Sequence, residues 1–433
     1  MAEMVRALFV AWLLATAPAT AFAAVAGPGT AAAPFAPRPC PAGLDAVAAC
    51  HAGRDANGAW LLVAVPRQWN RVLVVHAHGG PRLGAPGPED GDEDLDRFAV
   101  MVRSGFAWIG SSYRRGGYGV RMAAADVDAS RALFWSAFGR PRLTILHGQS
   151  YGGNVAAKLA ELGALDAEGG RLYDGVLLTN AILSGGTRAY GFRADLRAVY
   201  SHICRNHPRP DEPAYPLWQG LPADSAMTEA DLAARVNQCT GLDRPAGERS
   251  AEQGQRLATI TAVTGIAERH LLRHLEWATF TFRDLVHRRL GGRNPFDNSR
   301  TRYSGSADDA ALNREIARFT ADPVAVAALR YDSDLSGRII VPTLALHWRD
   351  DPIVSAEASA AYGRQVADQG GGHLFLRFST REGTHGRLAD AEYAAALAAL
   401  LGWIETGERP AAQAVVARCV AEAGAHRGNC SME

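Results

Sequence analysis

Short apolar runs alternate with helix-patterned stretches, and no other feature of this chain narrows its possible folds as much. "WLLVAV" (Trp60–Val65), "RVLVVHA" (Arg71–Ala77), "FAWIGSS" (Phe106–Ser112) and "LTILH" (Leu143–His147) read as strands. So do "GVLLTNAIL" (Gly175–Leu183), "VPTLALH" (Val341–His347) and "HLFLRF" (His373–Phe378). Several are apolar at consecutive positions, which suits parallel strands covered on both faces. Helical periodicity falls between them, over 94–104, 126–138, 154–162, 355–369 and 389–406. This order predicts an α/β protein: a mostly parallel, twisted sheet flanked by helices. The alternation breaks once. From about 184 to 337 there are helical patterns such as "TEADLAARVNQ" and "AERHLLRHLEWATFTFRDLVHRRL", with Pro- and Gly-rich connections and no good strand.

Formal charge is zero, from 45 basic and 45 acidic residues. No global field attracts nucleic acid, and none is expected as a partner. The basic run "HRRLGGR" (His287–Arg293) reads as a solvated helix end. At the N-terminus Arg6, an apolar stretch "ALFVAWLLATAPA" and the small-x-small "AFA" predict a signal peptide over 1–23. Export to the periplasm or beyond is therefore expected, with no stable membrane span after signal removal. Six cysteines agree with an oxidising compartment. Their spacing in three local couples suggests Cys40–Cys50, Cys204–Cys239 and Cys419–Cys430, although sequence does not fix the connectivity. The expected organisation is a leader over 24–50, a core in two parts (51–184 and 338–409), a helical insertion over 185–337 and a tail over 410–433. Nothing in the sequence speaks to oligomeric state.

The stretch "LTILHGQSYGGNVAAKLAEL" places Gly148-Gln149-Ser150-Tyr151-Gly152 where a strand becomes a helix. A serine hydroxyl is a poor nucleophile unless a base takes its proton and a tight turn exposes it. The bare G-x-S-x-G pattern is weak in a chain with 45 glycines. Its position after a convincing strand and before a helix with free N–H groups makes it specific. His76 and His78 alternate along a strand, but no third ligand is evident nearby, so no metal is expected. His147, His347 and His373 sit at strand edges and read as structural.

With this elbow the chain resembles the α/β-hydrolases over about 60–183 and 342–406. The resemblance implies an α/β-hydrolase fold whose helical insertion is a lid, and a chain order of serine, acid, histidine. In "LHWRDDPIVS" it selects Asp351, before a Pro-hydrophobic-Val turn, with Asp350 as the alternative. In "STREGTHGRLAD" it selects His385, in a Gly-flanked loop after a strand. "HAHGGPRLG" matches the family's HGG loop, which makes the N–H of Gly80 an oxyanion donor beside that of Tyr151. Pro81 has no N–H and cannot serve. The implied reaction is acyl transfer to water by Ser150, His385 and Asp351, with no cofactor. Because the base must be neutral imidazole, activity should fall at acid pH.

Substrate identity is less legible. Tyr215, Trp218, Trp277, Phe280 and Phe282 either line an acyl pocket or pack lid helices together, with Trp218, Trp277 and Phe280 the candidates for substrate contact. Tyr113, Arg114 and Arg115 lie near the expected site edge, where an anionic group is a possible ligand. A small-molecule or peptide-like acyl substrate is expected, with a carboxylic ester as the first reading. "HGGP" and "GQSYGG" also resemble prolyl-iminopeptidase-like members, whose lids carry acids for a free amine. Glu268, Glu276 and Glu315 are candidates for that role. Those members have a glycine after the proline, where this chain has Arg82. A third reading, an inactive secreted binding protein on a hydrolase scaffold, would normally come with the loss of a triad member.

Overall fold

The computed structural model describes residues 35–426 and 429–433. The expected signal peptide lies outside them. Nine strands form one sheet: β1 Phe35–Arg38, β2 Ala48–Arg54, β3 Trp60–Pro66, β4 Val72–Ala77, β5 Ala107–Ser111, β6 Leu143–Gln149, β7 Gly175–Thr179, β8 Thr343–Trp348 and β9 Phe375–Thr380. Their order is β1-β2-β3-β5-β4-β6-β7-β8-β9. The first three pair antiparallel and β3 meets β5 antiparallel, while every pair from β5 through β4 to β9 is parallel.

The helices before the insertion are α1 Glu89–Arg97, α2 Ala99–Arg103, α3 Val120–Phe138 and α4 Tyr151–Gly163. Those after it that cover the sheet are α12 Glu357–Asp368, α13 Asp390–Thr406 and α14 Ala412–Glu422. Side chains alternate across the pleat. Leu73 and Val75 of β4 join the core with α3, α4 and α12, and Val72 and Val74 join the opposite core with α1, α2, α13 and α14. This two-sided burial is why the strands read as continuous apolar runs.

Two departures from the sequence reading concern the ends. The leader expected over 24–50 enters the sheet from Phe35, because β1 pairs with β2 across the Cys40–Cys50 disulfide. A four-residue edge strand containing Pro37 carries little periodic signal. At the other end, the tail's Met432 bridges Thr380 of β9, and Ser379 and Glu433 exchange backbone hydrogen bonds. That pairing covers an otherwise open edge strand, and Cys419–Cys430 ties the returning segment to α14.

Between β7 and β8 the described chain has helices and no strand: α5 Gly186–Ala189, α6 Gly191–Cys204, α7 Glu229–Thr240, α8 Ala251–Thr264, α9 Leu271–Glu276, α10 Asp309–Glu315 and α11 Pro323–Ser333. Thr228 and Ser250 start α7 and α8 with capping boxes, each closed by the side chain three residues on. Leu196, Tyr200, Leu232, Val236, Ile260 and Leu275 form part of this segment's own apolar core. Cys204–Cys239 fastens α6 to α7. After α9 the backbone widens into π-helical turns over Trp277–Thr281 and Asp284–Arg289. Such turns re-aim side chains that a regular helix would place elsewhere.

Candidate active site

Register brings the first pieces together. Ala77 at the end of β4 pairs with Gly148 near the end of β6, so the His78–Gly80 loop leaves the sheet beside the serine. Ser150 sits between β6 and α4 with φ 58° and ψ −122°, a sparsely populated conformation for a non-glycine residue. The turn is tight enough that a Cβ on Gly152 would lie 2.0 Å from the Ala77 carbonyl oxygen. Glycine there lets strand β4 and the start of α4 approach. Gly80 has φ +149°, and a Cβ on it would meet the Arg82 nitrogen at 2.6 Å. Among the described residues its N–H donates to no other group. The N–H of Tyr151, at the first position of α4, precedes any intrahelical acceptor.

Three side chains from distant loops meet at this edge. His385 Nε2 lies 2.7 Å from Ser150 Oγ, and His385 Nδ1 lies 2.7 Å from Asp351 Oδ2. The other oxygen of Asp351 accepts the N–H groups of Ile353 (2.8 Å) and Val354 (3.2 Å), which fixes the carboxylate in its turn. Asp350 points away, largely exposed, with Arg349 as its neighbour. Of the two carboxylates, Asp351 is therefore the one beside the imidazole.

Sequence reasoning missed the residues that hold this arrangement. Asn180, just past β7, donates to the carbonyls of Thr384 (3.0 Å) and His385 (2.9 Å) and accepts the Trp348 N–H (2.7 Å). It thereby links the histidine loop to the strand that precedes the acid. Gln149 also donates to the His385 carbonyl. His347 bonds the Val354 carbonyl at 3.0 Å and closes the acid's turn. Behind the HGG loop, Asp94 of α1 bonds His78 and Arg97 and lies 3.3 Å from His76 Nε2. Burial pushes the Asp94 carboxyl up, but His78 and His76 beside it hold it well below the ordinary range. Tyr113 donates to the His78 carbonyl at 2.7 Å and braces the same loop. Of these, the sequence pointed to Tyr113 alone as near the site edge, and it placed Asn180 inside a strand without a role.

A cavity of about 480 Å³ opens over Ser150 and His385. Trp277 and Phe280, carried on the π-helical turn, line it, as do Ile182, Ile353 and Arg193. Trp218 packs against the apolar core and is not among the lining residues. Arg114 and Arg115 do not line it either. Arg114 pairs with Asp126, and Arg115 bonds the carbonyls of Gly116 and Tyr118. Of the three glutamates considered as amine anchors, only Glu276 reaches the cavity, where Arg273 bonds it at 3.2 Å. Glu268 is held by Arg249, and Glu315 lies at a separate depression. Among the described residues, no His, Cys, Asp and Glu group is arranged to hold a metal.

No family model matches the chain, and no curated protein matches it. Solved structures with a similar course include Candida antarctica lipase A in its closed state, at 12% identity and TM-score 0.44 over 87% of this chain and 82% of that one. Feruloyl esterase B from Aspergillus oryzae is 15% identical with TM-score 0.40, over 84% of this chain and 82% of that one. The rice cell wall degrading esterase LipA from Xanthomonas oryzae is 13% identical with TM-score 0.41, over 82% and 87%. At that level of likeness, any activity of this chain has to be argued from its own residues. Its strand order, with the serine on the turn from β6 into α4 and a helical segment between β7 and β8, is the α/β-hydrolase fold.

Proposed function

We propose that this protein is an exported serine hydrolase that cleaves a carboxylic ester through an acyl-enzyme. The carrying observation is the hydrogen-bonded series from Ser150 Oγ through His385 to Asp351. In this reading Ser150 Oγ attacks the ester carbonyl as His385 Nε2 takes its proton. Asp351 holds the Nδ1 tautomer and stabilises the imidazolium. The N–H groups of Gly80 and Tyr151 receive the oxyanion, and each such donor typically contributes about 3 kcal/mol to the transition state. His385 then protonates the leaving alcohol, and water releases the acyl group by the same steps reversed. The insertion acts as the lid that closes the cavity. Three disulfides support an oxidising compartment.

The exopeptidase alternative needs a free carboxylate held over the serine for an α-amine; of the cavity's glutamates, Glu93 and Glu276 are engaged by arginines and Glu229 lies exposed to solvent. An ester is therefore the preferred substrate class. The test is labelling by a fluorophosphonate probe, with turnover of p-nitrophenyl esters beside aminoacyl anilides. An adduct on Ser150 that is lost in Ser150→Ala, with ester turnover dominant, is expected. Dominant anilide turnover would move the assignment to peptidases, and an unlabelled Ser150 would favour a binding protein.

A further inference from the structure

Arg193, on α6, is an unusual member of the cavity wall. It is 3% exposed, and among the described residues it bonds no carboxylate. The other lining arginines each have one: Arg82 bonds Asp90, Arg97 bonds Asp94, and Arg273 bonds Glu276. A buried charge without a counter-charge is costly, and proteins normally pair it.

Its hydrogen bonds use only part of its capacity. Nε donates to His274 Nδ1 (3.1 Å), Nη1 to the Ala189 carbonyl (3.4 Å) and Nη2 to the Ile353 carbonyl (3.2 Å). A guanidinium carries five N–H groups, so two remain unused. None of the three acceptors is charged. His274 is neutral: burial, with Arg193 beside it, pushes its pKa down to about 3, although its Nε2 bonds the Pro352 carbonyl. The charge of Asp351 favours the cation, but Asp351 makes no direct bond to Arg193, its oxygens being taken by His385, Ile353 and Val354. Burial lowers Arg193 to about 10, which leaves it cationic at neutral pH. The guanidinium also packs over the rings of Trp277 (4.7 Å) and Phe192 (4.5 Å), which restrict its plane.

Arg197, one turn further on, shows what a purely structural arginine looks like here. It too is buried without a carboxylate, but it bonds the His207 carbonyl and the Tyr215 hydroxyl and lines no part of the cavity. Arg193 differs in facing the space above Ser150.

We infer that Arg193 is a specificity residue that pairs with a carboxylate on the substrate, so that the preferred ester is an acidic one. This rests on the ester-hydrolase reading and names its substrate class. A planar fork with spare donors on the cavity wall is suited to a carboxylate, which would supply a directly bonded counter-charge. Glu93, Glu229 and Glu276 also border the cavity, and Glu93 is paired with Arg82 and Arg97. Glu276 is neutralised by Arg273, and Glu229 is exposed to solvent, where its charge is screened.

The test compares kcat/KM for esters with and without a carboxylate on the wild-type protein. One pair places the charge on the acyl side: p-nitrophenyl hydrogen adipate against the branched neutral ester of equal length. The other places it on the leaving group: para-acetoxybenzoate against para-isopropylphenyl acetate. A preference of at least about tenfold for the acid in one pair is expected, the size of a charge-assisted bond. It should collapse in Arg193→Met and be partly kept in Arg193→Lys, whereas a residue that only braces the fold would lower both members of a pair together. Should Arg193→Met fail to fold, the wild-type ratios and the lysine variant decide. Ester turnover with ratios near one in both pairs overturns the inference and leaves the hydrolase reading standing. Absence of all turnover and of a fluorophosphonate adduct overturns the hydrolase reading instead. Binding is then read directly, as the thermal shift of Ser150→Ala with monomethyl adipate against its neutral isostere. A larger shift with the acid supports the anion site, and equal shifts remove it.

Discussion

The sheet edge and the helical segment above it contribute to one cavity by different physical means. At the edge, the reacting side chains are held by hydrogen bonds: Ser150, His385 and Asp351 are positioned by one another and by Gln149, Asn180 and backbone N–H groups. In the helical segment, position depends on apolar packing, one disulfide and a charged group without a counter-charge. In the proposed reading, chemistry that needs sub-ångström placement sits on the rigid element, and selectivity sits on the element that can vary.

This contrast can be broken experimentally. The largest effect should come from the edge. Asp351→Asn should lower kcat about 10³- to 10⁴-fold, on the order of 5 kcal/mol, by favouring the wrong imidazole tautomer. Asp350→Asn, exposed beside Arg349, should change it less than about twofold. Equal losses in steady-state assays would dissolve the assignment of the acid.

The next effect belongs to the helical segment. Replacing Cys204 and Cys239 by serine opens a 35-residue loop and should cost about 4 kcal/mol in a denaturant titration. Limited proteolysis should then cut between β7 and β8 first. Cleavage within the sheet at the same rate would mean that the two regions do not differ in local stability.

Acid should also act on this segment. His274 is neutral in the fold, pushed down to about 3 by burial, whereas an unfolded histidine titrates near 6.5. As pH falls, the unfolded chain takes up the proton first. The stability is thus complete above about pH 6.5 and is lost progressively toward pH 3, by about 2 kcal/mol at pH 5. Denaturant melts of wild type and His274→Gln across that range should diverge in slope, and parallel curves would exclude His274 as the cause.

The smallest effect sharpens the edge again. Asn180→Ala should reduce kcat about tenfold with little change in KM, because it frees the carbonyl side of the histidine loop without touching substrate. A change confined to KM would place Asn180 in binding instead.

Much of the edge was legible in the sequence. The glycines around Ser150, the Pro-turn after Asp351 and the loop at His385 are local patterns, each following a readable strand. The clamp of Asn180 and Gln149 was not, since its partners are 205 and 236 residues away. Trp218 and Trp277 look alike in sequence. The π-helical turn brings Trp277 to the cavity, and Trp218 remains in packing. Arg114 and Arg115 were candidates for an anion contact, but both are consumed by nearby acceptors.

Sequence alone determined the alternation of strand and helix, the interruption after β7, and which residue types reach the carboxyl edge of the sheet. These follow from short-range periodicity and turn chemistry, which the chain carries locally. Tertiary structure decided that Asn180 and Gln149 clamp the histidine loop, that residues from Phe35 onward belong to the sheet, and that Arg193 stands without a bonded carboxylate above Ser150. Those outcomes depend on partners far apart in the chain, where packing and the cost of burying charge decide what meets.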